Sequence, residues 1–404
     1  MDKLASKSTR LKNFYVHSTC TPTRAALLTG RAPSRSGFVF PLLPEDKHGI
    51  PSEVETLADV YKNNDYRTAL IGKWHLGMKG KFTPNNRGFD YHYGLLGGWA
   101  NQYTRYNPDG GYDWYENGLL LPKEDGHSTD LITNKAIEYI NVNNNDDPFF
   151  LYLSYTAPHV PIQVDPKWAK PYEGQFDTQT RVGYAGMMAH LDYSLGKVVK
   201  AIEKKGILEN TIIVFMSDNG PSAPGKKWYI PPEDLFTINF YGNDGVYGDT
   251  GDLRGWKASP YEGGVHVPAF IFWKNKLKSE DLNNTIAVQD LYPTLLNLSN
   301  IKASSSYKVE ARDIFSSEKS MPLYWRTHRD LTLRYGGDWK LILNNASPYE
   351  KELKPELYNI KKDFKESKNC ISFEKGTYKK LLKLLKKEFD KDAKPFINPS
   401  LIDK

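Results

Sequence analysis

The sequence is poor in cysteine and in long apolar stretches. Its 404 residues contain two cysteines, Cys20 and Cys370, which cannot form a disulfide framework and leave the redox compartment undecided. No run of about 18 apolar residues occurs, so no membrane span is expected. The first ten residues also lack the apolar stretch of a signal peptide, and none is expected in this chain.

Charge of one sign is only slightly in excess. Lysine and arginine number 54 against 48 acidic residues, a net charge of +6. This mild surplus is densest near the C-terminus and favours an anionic substrate. Neither zinc-finger spacing nor a basic helix with heptads is present, so no nucleic-acid partner is expected.

Aromatic residues are abundant by contrast. They make up 13% of the chain, with 26 tyrosines and 9 tryptophans. Such a composition suits the binding of a planar or sugar-like ligand, and ordinary core packing is the alternative. The length and the 39% hydrophobic content indicate a globular protein with one large α/β domain or two domains.

Helical and strand patterns alternate along most of the chain. Periodicity and capping signals predict helices over 52–64, 129–143, 181–205 and 289–298, and strands over 66–72, 149–156, 211–217 and 267–273. Apolar strands that alternate with helices indicate a largely parallel sheet covered on both faces. Ligands bind beyond the carboxyl ends of such strands, where this sequence has Lys73, His75, His159, Asp218 and Asn219.

The pattern changes after serine-rich stretches within 302–320. We place a domain boundary there, between a large domain of residues 1–301 and a small α+β subdomain of residues 302–404. In the subdomain, strand patterns over 331–335 and 339–343 flank a Gly-Gly-Asp turn and predict a β-hairpin. A basic amphipathic helix is predicted over 378–389, and its lysines are interpreted as a solvated face.

The segment CTPTRAALLTGR, which begins at Cys20, carries the most informative pattern. Pro22 suits the first turn of a helix, so Cys20 is predicted at or just before a helix N-terminus. The helix dipole and the Arg24 cation one turn later both favour negative charge there. A buried structural thiol is the alternative interpretation of a lone cysteine.

Three further segments each place polar residues after a predicted strand. Lys73 and His75 lie in GKWHLG, and His159 lies in APH; alone, they are a weak anion site or ordinary surface and turn residues. In SDNG, the Asp218 carboxylate and the Asn219 amide oxygen suit a hard cation such as Ca²⁺. Asp-Asn-Gly is also a common tight turn.

Together these motifs resemble the signatures of the type I sulfatases. Cys-x-Pro-x-Arg is followed by Ala-Ala-Leu-Leu-Thr-Gly-Arg, and the other segments, with LRGWKASPYEGG around Lys257, follow in the family's order. The chain looks most similar to the arylsulfatase B-like group. The resemblance implies an alkaline-phosphatase-like α/β fold, with a mixed, largely parallel sheet flanked by helices and a small C-terminal antiparallel sheet plus helix.

The resemblance also implies the chemistry, which is hydrolysis of a sulfate ester. Cys20 matches the cysteine that a formylglycine-generating enzyme or an anaerobic maturase oxidises to formylglycine. One hydroxyl of its hydrate attacks sulfur in line, and the other then loses a proton and expels sulfate. The implied catalytic residues are Cys20, Arg24, Lys73, His75, His159 and Lys257, with His75 as candidate base. The implied calcium ligands are Asp218, Asn219 and the formylglycine oxygen at Cys20.

The sequence departs from the family pattern in two places. The family begins with an apolar strand that ends in two adjacent, calcium-binding aspartates, and no Asp-Asp precedes Cys20. We therefore expect weak calcium binding, a sheet without its central strand, and a full-length periplasmic or secreted product that carries the strand behind a signal peptide. His266 also stands where the family usually has arginine, which leaves its role open.

A loop over 97–115 bears on the substrate because it is rich in tryptophan and tyrosine. Aromatic rings stack on sugars, so a sulfated carbohydrate is predicted rather than a small aryl sulfate, with Trp99, Tyr103 and His266 as candidate contacts. Two other functions stay open. One is a phosphoester or phosphonate hydrolase on the same fold, and the other is a non-catalytic binder of sulfated glycans, suggested by the absent aspartates.

Overall fold

The structure of the protein is a computed structural model. It describes residues 1–142, 147–226, 238–245, 247–303, 307–316, 321–335, 338–345, 347–349 and 353–396. None of the helices within these ranges is long and apolar enough to cross a membrane.

Helices and strands alternate in the first 300 residues, as predicted. The helices span Asp2–Ala5 (α1), Cys20–Thr29 (α2), Leu57–Lys62 (α3), Ser128–Val142 (α4), Pro166–Ala169 (α5), Gln179–Lys204 (α6), Glu262–Val265 (α7), Leu291–Leu298 (α8) and Lys375–Phe389 (α9). The strands span Thr9–Tyr15 (β1), Arg67–Gly72 (β2), Tyr91–Gly94 (β3), Tyr115–Glu116 (β4), Leu119–Leu120 (β5), Phe149–Ser154 (β6), Ile213–Met216 (β7), Ala269–Phe272 (β8), Glu280–Ala287 (β9), Leu323–Arg326 (β10), Leu331–Tyr335 (β11), Trp339–Leu343 (β12) and Pro355–Asn359 (β13).

Most predicted elements are confirmed within a few residues, and one helix begins later than predicted. The helix expected from residue 52 starts at Leu57, because the capping box is formed by Thr56 and Asp59 and not by Ser52 and Glu55. The Thr56 hydroxyl accepts a hydrogen bond from the Asp59 amide, and the Asp59 carboxylate accepts one from the Thr56 amide. This reciprocal pair satisfies two amide groups that the first helical turn leaves without partners.

The main sheet is divided in two, as the expected absence of its central strand implies. One sheet has the order β5-β4-β3-β2-β6 and the other the order β7-β8-β1-β9. Strand β2 runs parallel to β3 and β6, and β1 runs parallel to β9 and antiparallel to β8. Helices cover both sheets, so the architecture is the expected mixed α/β arrangement.

A slot separates the facing edges of the two sheets. Strand β6 pairs only with β2, and β7 pairs only with β8, within the part of the chain that the structure describes. Both strands line a cavity of about 1400 Å³. Their apolar side chains, Phe149 to Leu153 and Ile213 to Met216, are only half-buried. The backbone edges of β6 and β7 therefore leave room between them for one more strand.

The C-terminal subdomain is a four-stranded antiparallel sheet, β10-β11-β12-β13, with α9 packed on it. Its central hairpin has the predicted strand bounds, and the turn glycines Gly336 and Gly337 lie outside the described residues. Buried Arg35 ties the subdomain to the large domain through ion pairs with Glu310, Glu388 and Asp392. The exact domain division at residues 301 and 302 stays a prediction.

Candidate active site

Cys20 is the first residue of α2 and is buried, with 3% of its surface exposed. Burial alone would raise the pKa of the Cys20 thiol. The positive charges of Lys73, His75 and Lys257 outweigh that effect and hold the pKa well below its usual value. The sequence prediction that Cys20 lies at a helix N-terminus is thus confirmed, and its surroundings favour a negative charge.

Arg24, one turn further along α2, connects the two sheets. Its Nη1 donates to the Ser154 hydroxyl at the end of β6 and, at 3.0 Å, to the Lys73 carbonyl after β2. Its Nη2 donates to Asp218 Oδ2, just beyond β7, at 2.9 Å. Arg24 is 5% exposed. Because it reaches the carboxyl ends of β2, β6 and β7 together, those three strands run the same way toward the site.

Lys73 follows β2 and points into the same space. Its side chain is buried, and burial lowers the pKa of its ammonium to about 8, with Arg24 and Lys257 adding to the fall and Cys20 and Asp218 opposing it. The Lys73 amide donates to the Ser154 carbonyl at 2.8 Å. The preceding Gly72 has φ +116°, and a Cβ there would lie 1.9 Å from the same carbonyl, so only glycine lets β2 approach β6 so closely.

His75 lies beside Cys20 in a left-handed backbone conformation, with φ 60°. Its Nε2 faces the Leu42 carbonyl at 2.8 Å, so this nitrogen carries the proton. The Thr21 hydroxyl donates to the His75 carbonyl at 3.0 Å and fixes the backbone. The Nδ1 atom makes no oxygen or nitrogen hydrogen bond among the described residues, and the His75 side chain hydrogen-bonds to Cys20.

His159 and Lys257 form the opposite side of the site. Lys257 Nζ lies 3.2 Å from His159 Nε2, and His159 Nδ1 lies 3.0 Å from the Val160 carbonyl. Burial lowers the pKa of His159 well below its usual value, and the Lys257 and Lys73 ammonium groups add to the effect. The imidazole is therefore neutral, with Nδ1 donating to Val160 and Nε2 accepting from Lys257.

The turn after β7 carries the candidate metal ligands. Burial would raise the pKa of Asp218, but Arg24, Lys73 and Lys257 hold it well below its usual value, so the carboxylate is ionised. Asn219 Oδ1 is buried and accepts no hydrogen bond from the described residues. Such an orphaned oxygen is unusual in a folded protein and fits a cation ligand.

The structure brings together most of the candidate residues and leaves two apart from the cationic cluster. Trp99 stacks on His159 at 6.0 Å between ring centroids. Tyr103 instead packs edge-on against His127, and its hydroxyl accepts from Asn239 at 2.9 Å. His266 stacks on Tyr15, and its Nε2 faces the Lys12 carbonyl at 2.9 Å. Among the described residues these ring contacts and hydrogen bonds do not join Tyr103 or His266 to the cluster, and their substrate role stays a prediction.

Sequence reasoning missed some residues that the fold adds to the site. Ser154 and Tyr152 hydrogen-bond to Arg24, and Lys226 lies near enough to Lys257 that burial and this second ammonium lower the pKa of Lys226. Ser154 was detectable, because it ends a predicted strand at the edge where ligands bind. Lys226 carries no such signal, since it lies in a long loop.

Comparison with known proteins places these features in a family. A family model described as Sulfatase matches residues 1–301. Arylsulfatase J of Mus musculus is 30% identical over 330 residues, covering 78% of this chain and 51% of the relative. The uncharacterized sulfatase YdeN of Escherichia coli (strain K12) is 31% identical over 334 residues, covering 76% and 54%. The chain thus spans about half the length of these curated relatives.

Solved structures extend the similarity to the whole fold. The crystal structure of Ps i-CgsB in complex with k-i-k-neocarrahexaose matches with a TM-score of 0.84 and 27% identity, over 100% of this chain and 90% of that chain. The structural neighbours are sulfatases of the alkaline-phosphatase-like fold, which confirms the predicted fold class. Because the family model covers residues 1–301 of 404 and the fold agrees throughout, the chain belongs to the sulfatase family.

Proposed function

We propose that this protein hydrolyses sulfate esters, with Cys20 oxidised to formylglycine. The observation that carries the proposal is the convergence of Lys73, Lys257 and Arg24 on a buried cysteine at the start of α2. A sulfate ester is anionic, and preorganised cations in a buried site stabilise the negative charge that shifts onto oxygen as the ester bond breaks. Family membership supports the same conclusion.

Each residue around position 20 has a distinct task in this proposal. Formylglycine, when present, supplies a hydrated aldehyde whose hydroxyl attacks sulfur. Lys73 and Lys257 bind sulfate oxygens, and the Lys257 ammonium, held by His159 Nε2, lies where it can stabilise the leaving oxygen. His75, which hydrogen-bonds to Cys20, is the candidate base for a proton released near position 20. Arg24 fixes the positions of Asp218 and Ser154.

The described residues provide only part of the ligand set that a calcium site needs. They offer the Asp218 carboxylate, which Arg24 already engages, and Asn219 Oδ1. No group of three or more His, Cys, Asp or Glu able to hold a metal ion occurs among them. Calcium takes six to eight oxygen ligands, as a rule with several carboxylates, so these residues make only part of a calcium site. No step of the proposed reaction is assigned to the metal.

We propose that the slot between β6 and β7 holds an additional strand that ends in carboxylates. Three observations support this. The facing edges of β6 and β7 are unpaired within the described chain, their apolar side chains are half-exposed, and the carboxyl end of the slot is surrounded by Arg24, Lys73 and Lys257. A parallel apolar strand would pair both edges, and acidic residues at its end would balance these cations and complete the metal site.

Calcium titration tests this part directly. Residues 1–404 alone should bind Ca²⁺ weakly, and a synthetic apolar strand peptide ending in Asp-Asp should raise the affinity, whereas an Asn-Asn peptide should not. Tight binding by the chain alone, unaffected by Asp218→Asn, would show that the extra strand is not needed.

The proposed substrate class is a sulfated carbohydrate, and Trp99 is the supporting residue. Its ring stacks on His159 beside Lys257, where a sugar ring attached to a bound sulfate would lie. Trp99→Ala should lower turnover of a sulfated oligosaccharide about tenfold, as expected for loss of one aromatic contact, and change aryl sulfate turnover much less. Tyr103→Phe, which keeps the ring packed on His127, is the matched control. Equal turnover of the oligosaccharide by all variants would exclude Trp99 as a sugar contact.

The proposed activity is tested by producing the protein together with a formylglycine-generating or anaerobic maturase enzyme. Mass spectrometry of the peptide that contains Cys20 reports the modification, and aryl sulfate and aryl phosphate esters are compared as substrates. Sulfate release that Cys20→Ala abolishes is expected. Faster phosphate release would favour a phosphoester or phosphonate hydrolase, and glycan binding without release, unchanged by Cys20→Ala, would favour a binding protein. Export to the periplasm or outside the cell stays a prediction for the full-length product.

A further inference from the structure

A buried cluster of charged residues joins the C-terminal subdomain to the large domain. Lys340 on β12 is 0% exposed, and its Nζ lies 2.9 Å from Glu262 Oε1 and 2.8 Å from Glu366 Oε1. Glu262, at the start of α7, also accepts a hydrogen bond from the Tyr15 hydroxyl at 2.7 Å. The Glu262 amide donates to Glu366 Oε2 at 2.8 Å. Arg334 Nη1 lies 3.9 Å from Glu262 Oε2, so two buried carboxylates are held together by the Lys340 ammonium and, at longer range, by the Arg334 guanidinium.

Glu262 lies in the loop of residues 253–264, which we call the lysine loop because it carries Lys257. The Lys257 amide donates to the Pro221 carbonyl, and the Ala258 amide donates to the Ser18 carbonyl, both at 2.8 Å. The lysine loop thus contacts the segment before Cys20 and the turn after Asp218 at the same time. A shift of this loop would move Lys257 relative to both.

The C-terminal subdomain contacts the lysine loop at a second point, Arg254. Arg254 Nη1 donates to the Tyr358 hydroxyl at 2.7 Å, to Glu356 Oε2 at 3.0 Å and to the Glu366 carbonyl at 3.1 Å. The lysine loop is therefore fixed near both ends by side chains of the C-terminal subdomain, with Lys257 between them. Its backbone packs closely on itself, since a Cβ on Gly263 would lie 2.2 Å from the Gly255 carbonyl.

We infer that Lys340 is a positioning residue for Lys257: by bridging Glu262 and Glu366 it fixes the lysine loop against the sites of Cys20 and Asp218. The C-terminal subdomain then contributes to the anion site without touching the anion. Removing the ammonium leaves two carboxylates buried side by side, with the longer Arg334–Glu262 pair at 3.9 Å still in place. Glu366 then loses its ion pair with Lys340, and the two carboxylates relieve their repulsion by taking up a proton or by moving apart. Glu262 lies in the lysine loop five residues after Lys257, so a shift of its carboxylate is transmitted to Lys257.

Hydrogen exchange measured on the intact protein tests the inference without any reference to activity. In Lys340→Met, the amides of residues 254–264 should exchange at least about tenfold faster than in the original protein, because their local opening becomes easier. Arg35→Met is the matched control. The Arg35 side chain is 2% exposed and forms ion pairs across the same domain boundary. Among the described residues none of these pairs reaches the lysine loop, so this variant should lose stability without faster exchange in 254–264.

A second variant keeps the test decisive if Lys340→Met does not fold. Burial raises the pKa of Glu366, so a neutral glutamine suits this position. Glu366→Gln leaves the Lys340–Glu262 pair in place and is expected to fold, with a smaller acceleration of hydrogen exchange confined to 254–264. Unchanged exchange there in a folded Lys340→Met protein, or in Glu366→Gln where the first does not fold, would overturn the inference. So would equal acceleration in Arg35→Met, which would indicate a general loss of stability.

The consequence for turnover rests on the proposed function and is measured separately. Lys340→Met should raise the KM for an aryl sulfate, or the Kd for inorganic sulfate, about tenfold, with a smaller change in kcat, since the binding cation Lys257 is displaced. If the original protein neither binds sulfate nor hydrolyses the ester, the proposed function fails while the exchange result still decides the role of Lys340.

Discussion

Arg24 and Asp218 form an ion pair at the end of the slot between the two sheets, with Arg24 Nη2 donating to Asp218 Oδ2 at 2.9 Å. The arginine side chain is 6% exposed and the aspartate side chain 30%. Because the same guanidinium also bonds to Ser154 on β6, this pair joins two sheets that share no strand. It thereby keeps the cysteine helix and the candidate metal turn in fixed relation.

Breaking this pair should destabilise the fold. We expect Arg24→Ala to lower the free energy of unfolding by about 3 kcal/mol, near the low end for a buried ion pair, because Asp218 keeps some contact with water. Urea unfolding of Arg24→Ala, Asp218→Asn and the double variant measures the coupling. The double variant should be clearly less damaged than the sum of the two single changes. If the changes in the free energy of unfolding are simply additive, the ion pair contributes nothing to stability.

The close contact between Lys257 and His159 predicts a linked titration. After burial itself, the Lys257 ammonium is the first of the charges that lower the pKa of His159. Lys257→Met should therefore raise the pKa of His159 toward its ordinary value, as followed by NMR of protein with ¹³C-labelled histidine. Lys274→Met removes a surface lysine paired with Glu209 and should leave His159 unchanged. A fall in the pKa of His159 after Lys257→Met would contradict the assigned contact.

Buried neutral histidines predict a loss of stability in acid. His92 is 0% exposed, and burial lowers its pKa from 6.5 to about 3. Between those values the unfolded chain binds a proton that the folded chain does not, so stability falls as the pH drops from 6.5 toward 3. One such group contributes a slope of about 1.4 kcal/mol per pH unit. Urea unfolding at several pH values should show His92→Leu with a shallower slope than the original protein, and an equal slope would refute this account.

The turn that carries Asp218 and Asn219 depends on a close backbone contact. A Cβ on Gly220 would lie 1.9 Å from the Gly263 carbonyl, so Gly220→Ala should lower the free energy of unfolding by about 2 kcal/mol, as overpacking does. Gly196 on α6 has open space around it, and Gly196→Ala should raise the stability by about 0.5–1 kcal/mol. Thermal unfolding of both variants measures the two changes in stability. Changes of the same sign and size would exclude a special role for Gly220.

Local signals in the sequence located most elements and most candidate site residues. The hairpin of β11 and β12 has its predicted bounds, and Cys20 begins α2 as Pro22 and Arg24 suggested. The strands that the sequence analysis did not predict are β1, β3, β4, β5, β9, β10 and β13. Strand β9 is mostly polar and exposed, so its sequence lacks the apolar pattern of a strand, and pairing with β1 decides its conformation.

Local patterns along the chain specify which side chains are available for chemistry and which strand or helix each one follows, because capping, periodicity and motif spacing act over short distances. The packed fold, by contrast, is what pairs Arg24 with Asp218 across 194 positions and Lys340 with Glu262 across 78. Such contacts form when burial brings distant charges together and forces them to pair. That requirement belongs to the packed interior and leaves no local pattern in the chain.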